Sequence, residues 1–276
     1  MSCRREARSR NARCASSGDP SGFQSSEDGN ADEELRREAA LKVEDRKEEI
    51  SSPSDDVYER NASALSERLI ALWEIVSVLA SFLIGIWIVL PLAEHKFLVG
   101  AIPLSFAVIL MLVSHRVRRE TPQQIGWRMD NFLQAVRLLF FPMLGVAVVI
   151  IFIGWRNHSF RLNKLENWEW VAWLFLWGLI QQYALQGFIN RRAQIVLGQG
   201  YRSALLVAVV FALLHLPNPW LTVATFVGGF IWATVYQRAP NLFALAISHG
   251  LMSMLLVWAL PPGIMKGLRV GFKYFG

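Results

Sequence analysis

The chain has 276 residues, of which 53% are hydrophobic, and its formal net charge is +6. Residues 1–67 carry 11 Lys/Arg and 16 Asp/Glu, whereas residues 170–276 carry seven Lys/Arg and no acidic residue. The basic residues flank apolar segments, which favours membrane lipids as partners and argues against nucleic acid. The two cysteines, Cys3 and Cys14, imply no disulfide framework.

Residues 1–66 predict a disordered, charged N-terminal tail, because Ser, Gly, Asp and Pro cluster there and large apolar residues are scarce. A solvated helix over residues 31–49, supported by i,i+4 pairs of opposite charge, is the alternative within this tail. The first 14 residues are rich in Arg and Ser, as in transit peptides, but they lack the apolar stretch of a secretory signal.

Residues 67–276 predict an all-α, polytopic membrane domain, since nearly everything from Arg68 to Leu260 is apolar. A helix needs roughly 20 apolar residues to cross a bilayer. About seven segments approach that length, near residues 69–92, 97–114, 133–154, 170–189, 203–217, 220–237 and 241–260. The sequence therefore predicts a multi-pass integral membrane protein.

Arginines between the predicted spans indicate a cytoplasmic N-terminus, because positively charged loops stay on that side. They follow the second span (Arg116, Arg118, Arg119 and Arg128) and the fourth span (Arg191, Arg192 and Arg202). The loop after the third span, with Arg156, Arg161 and Lys164, departs from this alternation.

Polar side chains inside three of these apolar segments indicate a site, because polar groups in lipid are costly and usually face a bundle interior. Residues four apart share one helix face, as Gln182 and Gln186 do, while Gln181 lies about 100° away. Two further pairs are also four residues apart and so share a helix face: Phe211 with His215, and His249 with Ser253.

Each of these residues also has a structural interpretation when it is considered alone. Gln and Ser often link membrane helices by hydrogen bonds worth about 0.6 kcal/mol. A single buried His is commonly a structural residue. An unrelated transporter or channel-like bundle is a further alternative.

Together the segments resemble the three motifs of the CPBP (Abi) family of intramembrane endopeptidases, which includes the type II CAAX prenyl proteases. QQYALQG stands where that family has E-E-x-x-x-R, FALLH where it has F-x-x-x-H, and SHGLMS where it has H-x-x-x-N. The intervals from Gln182 to His215 and from His215 to His249, 33 and 34 residues, are similar to the family's. GWRMDNF at 126–132 also resembles a family feature, and the resemblance covers roughly residues 120–260.

The resemblance implies a membrane-bound hydrolase that acts on a membrane-proximal or lipidated peptide. In active relatives the first Glu is taken to activate water with the second-motif His, while the third-motif His and Asn stabilise the oxyanion. Carried onto this chain, those roles fall on Gln181 and Gln182 at the Glu positions, Gln186 at the Arg position, the unchanged His215 and His249, and Ser253 at the Asn position.

The departures from the motifs bear directly on the chemistry. A general base must accept a proton, which a carboxylate does and a carboxamide does not. Loss of the motif Arg at Gln186 is consistent with loss of the carboxylates, because a buried cation without an anion is costly. Glu74 is the best substitute carboxylate, although an interfacial position is its favoured interpretation, and Glu169 lies about 18 Å along the helix from Gln181. His215 is an alternative base.

Two hypotheses about function remain open on these residues. The chain is either a CPBP-type intramembrane endopeptidase with His215 as base, or a catalytically silent relative that binds a membrane peptide or partner protein without cleaving it. Two His without a Cys or carboxylate are too few ligands for zinc. No metal or cofactor is therefore predicted.

Overall fold

The computed structural model describes residues 27–50, 53–92, 97–160 and 168–275. Within these ranges the chain forms helices and turns with no strand, which confirms the all-α prediction. Backbone contacts divide the chain into two compact units, Met1–Asn61 and Ala62–Gly276. Residues 1–26 of the predicted tail, including Cys3 and Cys14, lie outside the described residues.

The first unit contains helix α1, Glu27–Ile50, whose side chains are exposed from Asp32 to Glu44. Two i,i+4 ion pairs lie along it, Arg37 with Glu33 and Lys42 with Glu38. Such exposed pairs stabilise a helix by about 0.3–0.5 kcal/mol each. This part of the tail therefore adopts the solvated helix that the sequence left open.

Seven of the remaining helices overlap the predicted segments, but the first begins at Pro53, inside the tail predicted to be disordered, and the fifth stops at Leu213 and continues as a turn. Two of them contain π-helical turns, where each turn holds about one residue more than an α turn. In chain order the helices are α2 (Pro53–Ile84, continued by a π segment Gly85–Val89 and by Leu90–Leu92), α3 (Phe97–Val117), α4 (Pro122–Ile125), α5 (Phe132–Arg156), α6 (Trp168–Gln182, continued by a π segment Tyr183–Asn190), α7 (Arg191–Leu197), α8 (Tyr201–Leu213), α9 (Pro219–Arg238), α10 (Leu242–Ala259) and α11 (Pro262–Met265).

Among the described residues, four helical stretches are long and apolar enough to cross a membrane. They are Val57–Leu92, Phe132–Arg156, Pro219–Arg238 and Leu242–Ala259, and the shorter helices Ala101–Val117 and Tyr201–Leu213 are also apolar. The helical membrane protein predicted from the sequence is thereby confirmed. The cytoplasmic N-terminus stays a prediction.

Side-chain caps fix where three of the helices begin. Thr121 and Gln124 form a capping box at α4, in which each side chain accepts a hydrogen bond from the other's backbone N–H. Asn218 and Asn241 cap α9 and α10 by accepting a hydrogen bond from the backbone N–H of Leu221 and of Ala244, and both side chains are fully buried. Asn241 also donates to the Arg128 carbonyl, which ties the start of α10 to the segment before α5.

Glycines bring α10 close to its two neighbours. A Cβ on Gly250 would lie 2.6 Å from the Phe175 ring of α6, and one on Gly154 of α5 would lie 2.6 Å from the Ala259 carbonyl. Small residues allow such close helix packing inside membranes, where apolar burial gives little driving force. As a result, α10 is held between α5 and α6 and carries His249 into the interior.

Candidate functional site

The third-motif histidine contacts the first motif directly. Gln182 Nε2 lies 3.0 Å from His249 Nδ1, and both side chains are buried. An amide NH₂ only donates, so His249 Nδ1 is the acceptor and its ring proton resides on Nε2. Gln182 Oε1 is buried without a hydrogen-bond partner among the described residues.

The second-motif histidine lies in the turn that follows α8. His215 Nδ1 donates to the Phe211 carbonyl at 2.7 Å. A carbonyl only accepts, so Nδ1 carries the proton and the neutral ring keeps its lone pair on Nε2. The two histidines therefore present opposite hydrogen-bonding groups, an N–H on His249 and a lone pair on His215.

Aromatic side chains enclose this histidine pair. The Phe211 ring meets the edges of both imidazoles, with centroids 4.6 Å from His215 and 5.8 Å from His249. On its other side the His249 ring stacks on Trp232 at 4.8 Å. The Trp232 indole N–H donates to Ser248 on α10, so its orientation is fixed.

A row of carboxamides continues from Gln182 along the π segment into α7. Its members recur every four residues: Gln182, Gln186, Asn190 and Gln194. Asn190 donates to Gln186 Oε1 at 2.8 Å, and Gln194 donates to Asn190 Oδ1 at 3.2 Å. The row is interrupted once, between Gln182 and Gln186, where a buried acceptor (Oε1) and a buried donor (Nε2) both lack partners among the described residues.

Two predicted site residues make no such contacts. Gln181 and Ser253 are half-buried, and neither forms a side-chain hydrogen bond with any residue that the structure describes. The structure therefore brings Gln182, His215 and His249 together, with Gln186 one turn away. The roles carried over to all six residues stay predictions.

An ion cluster holds the end of the π segment against α2 and α3. The Arg192 guanidinium is fully buried and reaches Glu120 at 2.7 Å, Glu74 at 3.2 Å and Ser114 Oγ at 2.6 Å. It also lies over the Phe188 ring. The sequence placed Arg192 in a charged loop, which is wrong: it is an interior residue of α7, where two acidic groups from other elements offset the cost of its burial.

Both acidic groups of this cluster are engaged by arginines. Glu74, the predicted substitute carboxylate, binds Arg118, Arg192 and the Ser114 hydroxyl. Burial alone would raise the pKa of Glu120, but the hydrogen bond with His115 and the charge of Arg192 outweigh it and lower that pKa from 4.5 to about 2. Both carboxylates are thus paired with arginines, so neither is free to take a proton from water as a general base must.

The other parts of the site were not recognised in the sequence. Asn190 and Gln194 could have been found, because they extend the four-residue spacing of Gln182 and Gln186. The contacts of Trp232 with His249 and Ser248 carried no such signal, since they join different helices. Among the described residues no group of three or more His, Cys, Asp or Glu is placed to hold a metal ion.

The comparisons with known proteins identify one family. Its sequence profile, described as type II CAAX prenyl endopeptidase Rce1-like, matches residues 62–255 and so includes all six predicted site residues. No curated protein and no solved structure matches the chain.

Proposed function

Because the chain belongs to the Rce1-like family of type II CAAX prenyl endopeptidases, we propose that its motif helices bind a membrane-embedded or lipidated peptide without cleaving it. The contact between Gln182 and His249 carries this proposal. At the second of the two Glu positions of the first motif, this chain has a neutral carboxamide that is already bound to the third-motif histidine.

The chemistry of that amide argues against hydrolysis. General-base assistance contributes typically 10²–10⁴-fold to a rate and needs a group that can take the proton of water. Neither Gln181 nor Gln182 can take it, because both are carboxamides, and no Asp or Glu follows Glu169 in the chain. The nearby acids, Glu74 and Glu120, are bound to Arg192 instead.

The same residues support binding. Gln182 Oε1 is a buried acceptor and Gln186 Nε2 a buried donor, and neither has a hydrogen-bond partner in the part of the chain that the structure describes. A peptide group offers the complementary N–H and C=O, and leaving buried polar atoms unpaired costs about 1–3 kcal/mol each. A bound peptide would remove that cost without introducing charge.

A second candidate function, hydrolysis with His215 as base, is favoured by one observation. His215 donates through Nδ1 to the Phe211 carbonyl, which leaves the basic lone pair on Nε2. His249, with its proton on Nε2, would then stabilise an oxyanion. This mechanism uses no carboxylate, so it must proceed without the negative charge that the family's Glu supplies.

One experiment distinguishes the two functions. The purified full-length protein in lipid vesicles is incubated with a library of synthetic membrane peptides, with and without a C-terminal prenyl group, each carrying a photoreactive cross-linker. Cross-linking reports binding, and mass spectrometry reports cleavage. One variant is His215→Ala. A second is the double variant Gln181→Glu/Gln182→Glu, and a third adds Gln186→Arg to that double variant so that the restored carboxylates have a cation beside them. Gln199→Glu, on an exposed loop residue, is the matched control.

We expect the native protein and His215→Ala to cross-link to a peptide without cleaving it. We expect cleavage only from the variants in which both Glu residues are restored. Cleavage by the native protein that is lost in His215→Ala would overturn the proposal in favour of His-centred hydrolysis. Absence of cross-linking to any peptide would also overturn it.

A further inference from the structure

An apolar groove runs between α5 and α10 on the outside of the helix bundle. Its volume is about 490 Å³. The side chains of α5 that line it follow the 3–4 spacing of one helix face: Val136, Leu139, Phe140, Met143, Leu144 and Ala147. Several of its walls are open to the surroundings, with Phe140 55% exposed and Leu251 47% exposed. The groove is therefore accessible from the side.

The two helices run parallel, so the groove has two distinct ends. Asn241 at the start of α10 binds Asn131 at the start of α5, and Ser159 after α5 binds the Ala259 carbonyl at the end of α10. The lining spans Ala244 to Trp258 on α10, about 20 Å at 1.5 Å per residue. A leaflet of the hydrocarbon core is about 15 Å deep. The groove is thus longer than one leaflet is deep, and because both helices are candidate membrane spans it faces the acyl chains of the bilayer.

The lining provides almost nothing that a peptide backbone needs. Only Ser248 and Trp258 carry a side-chain N or O atom there. The Ser248 hydroxyl already accepts from Trp232, and the Trp258 indole nitrogen is buried. Backbone N–H and C=O groups left unpaired in such a place cost several kcal/mol each, whereas a hydrocarbon chain has no such groups. Met143, Met252 and Met254 add flexible side chains that adapt to an irregular chain.

A cation marks one end of the groove. Arg137 is exposed on the second turn of α5, at the edge of the face that carries Phe140 and Leu144. It forms no ion pair with any described residue, and Asp130, the acidic residue just before α5, is bound to Arg128. A guanidinium at the mouth of an apolar groove is complementary to a phosphate whose hydrocarbon chain continues inward.

We propose that the groove between α5 and α10 binds one anionic phospholipid, with its phosphate at Arg137 and an acyl chain along Phe140 and Leu251. This site is separate from the histidine pair, since neither His215 nor His249 lines the groove. The proposal goes beyond peptide binding and does not depend on it.

The test uses the full-length protein and two phospholipids with identical chains, palmitoyl-oleoyl phosphatidylglycerol and palmitoyl-oleoyl phosphatidylcholine. Native mass spectrometry after detergent exchange measures how much of each lipid is retained. We expect one phosphatidylglycerol to be retained in preference to phosphatidylcholine, and Arg137→Gln to weaken its retention roughly five- to tenfold. Arg156→Gln, at the other end of the same helix, is the matched control and should change nothing.

A second pair of variants tests the groove itself. Leu251→Trp and, on the facing helix, Leu144→Trp fill it and should each abolish retention of phosphatidylglycerol. Val149→Trp places the same bulk on an exposed α5 position outside the lining and should have no effect. Gel filtration establishes which variants are folded.

Three results would overturn the proposal. Equal retention of the two lipids would show that the Arg137 charge does not select the lipid. Equal losses of retention in Arg137→Gln and Arg156→Gln would show that the attraction for the anionic lipid is not localised at Arg137. Displacement of the lipid by a prenylated peptide from the library above would assign the groove to that peptide instead.

Discussion

Gln182 and His249 are 67 residues apart in the chain, and their side chains meet 3.0 Å apart inside the protein. Both partners are neutral, so their contact adds no charge to the interior. A carboxylate at the same position would be buried without a cation beside it. A neutral amide therefore suits this buried position, and the free energy of unfolding should fall when a charged side chain replaces it.

Restoring one charge should therefore destabilise the protein. Gln182→Glu places a carboxylate next to His249, and an uncompensated buried charge costs roughly 3–5 kcal/mol. Adding Gln186→Arg, one turn away on the same face, should recover 1 kcal/mol or more through their interaction. Thermal unfolding in detergent of the two single variants and the double variant measures this coupling. Strictly additive effects would show that the two positions do not interact.

Glu120→Gln should destabilise the protein by roughly 3–5 kcal/mol, because it removes the closest anion from the fully buried Arg192. Unfolding monitored by circular dichroism in detergent checks this. Arg202→Gln removes a charge from an exposed position and should stay within about 0.5 kcal/mol of the native protein. Similar effects from both variants would mean that the buried ion cluster adds no stability.

The ion cluster should also make stability depend on pH in the acidic range. The pKa of Glu120 is lowered to about 2 in the folded protein, so its ionised form favours folding above the unfolded pKa. That contribution should fall as the pH drops from about 4.5 towards 2. The difference in unfolding free energy between the native protein and Glu120→Gln should therefore narrow over this range, and a constant difference would contradict it.

Two glycines on α5 should respond to alanine in opposite directions. Gly154→Ala forces a Cβ to within 2.6 Å of the Ala259 carbonyl, where the backbone cannot easily move, so a loss of about 1–3 kcal/mol is expected. Nothing lies within 4 Å of a Cβ on Gly145, and Gly145→Ala should stabilise the helix by up to about 1 kcal/mol. Melting temperatures of the two variants test the pair. A stabilising Gly154→Ala would show that α5 and α10 pack less closely than described.

The sequence predicted the helices and selected three side chains that the structure brings together, Gln182, His215 and His249, because both predictions depend on local patterns. Apolar runs predicted the spans, and four-residue spacing put Gln182 and Gln186 on one face. The family resemblance selected His215 and His249, which lie on two further segments. Spacing set Gln181 about 100° from Gln182, but it cannot supply the rotation of each segment about its axis, so it gave no reason to separate Ser253 from His249.

Partners that come from different helices remained hidden for the same reason. Arg192 looked like a loop charge, because the acidic groups that bind it, Glu74 and Glu120, precede it by 118 and 72 residues. The indole of Trp232 looked no different from that of any other tryptophan in a membrane segment. Only the packed structure shows that it lies against His249.

The π segment Tyr183–Asn190 separates Gln182 from Arg192. A π turn holds about one residue more than an α turn, so α geometry over the same number of residues would rotate α7 by about 100° relative to α6. Arg192 would then leave Glu74 and Glu120, while Gln182 kept its place beside His249. The number of residues in this segment and its helical geometry are therefore linked. A relative one residue shorter between these two positions would keep both contacts with α geometry.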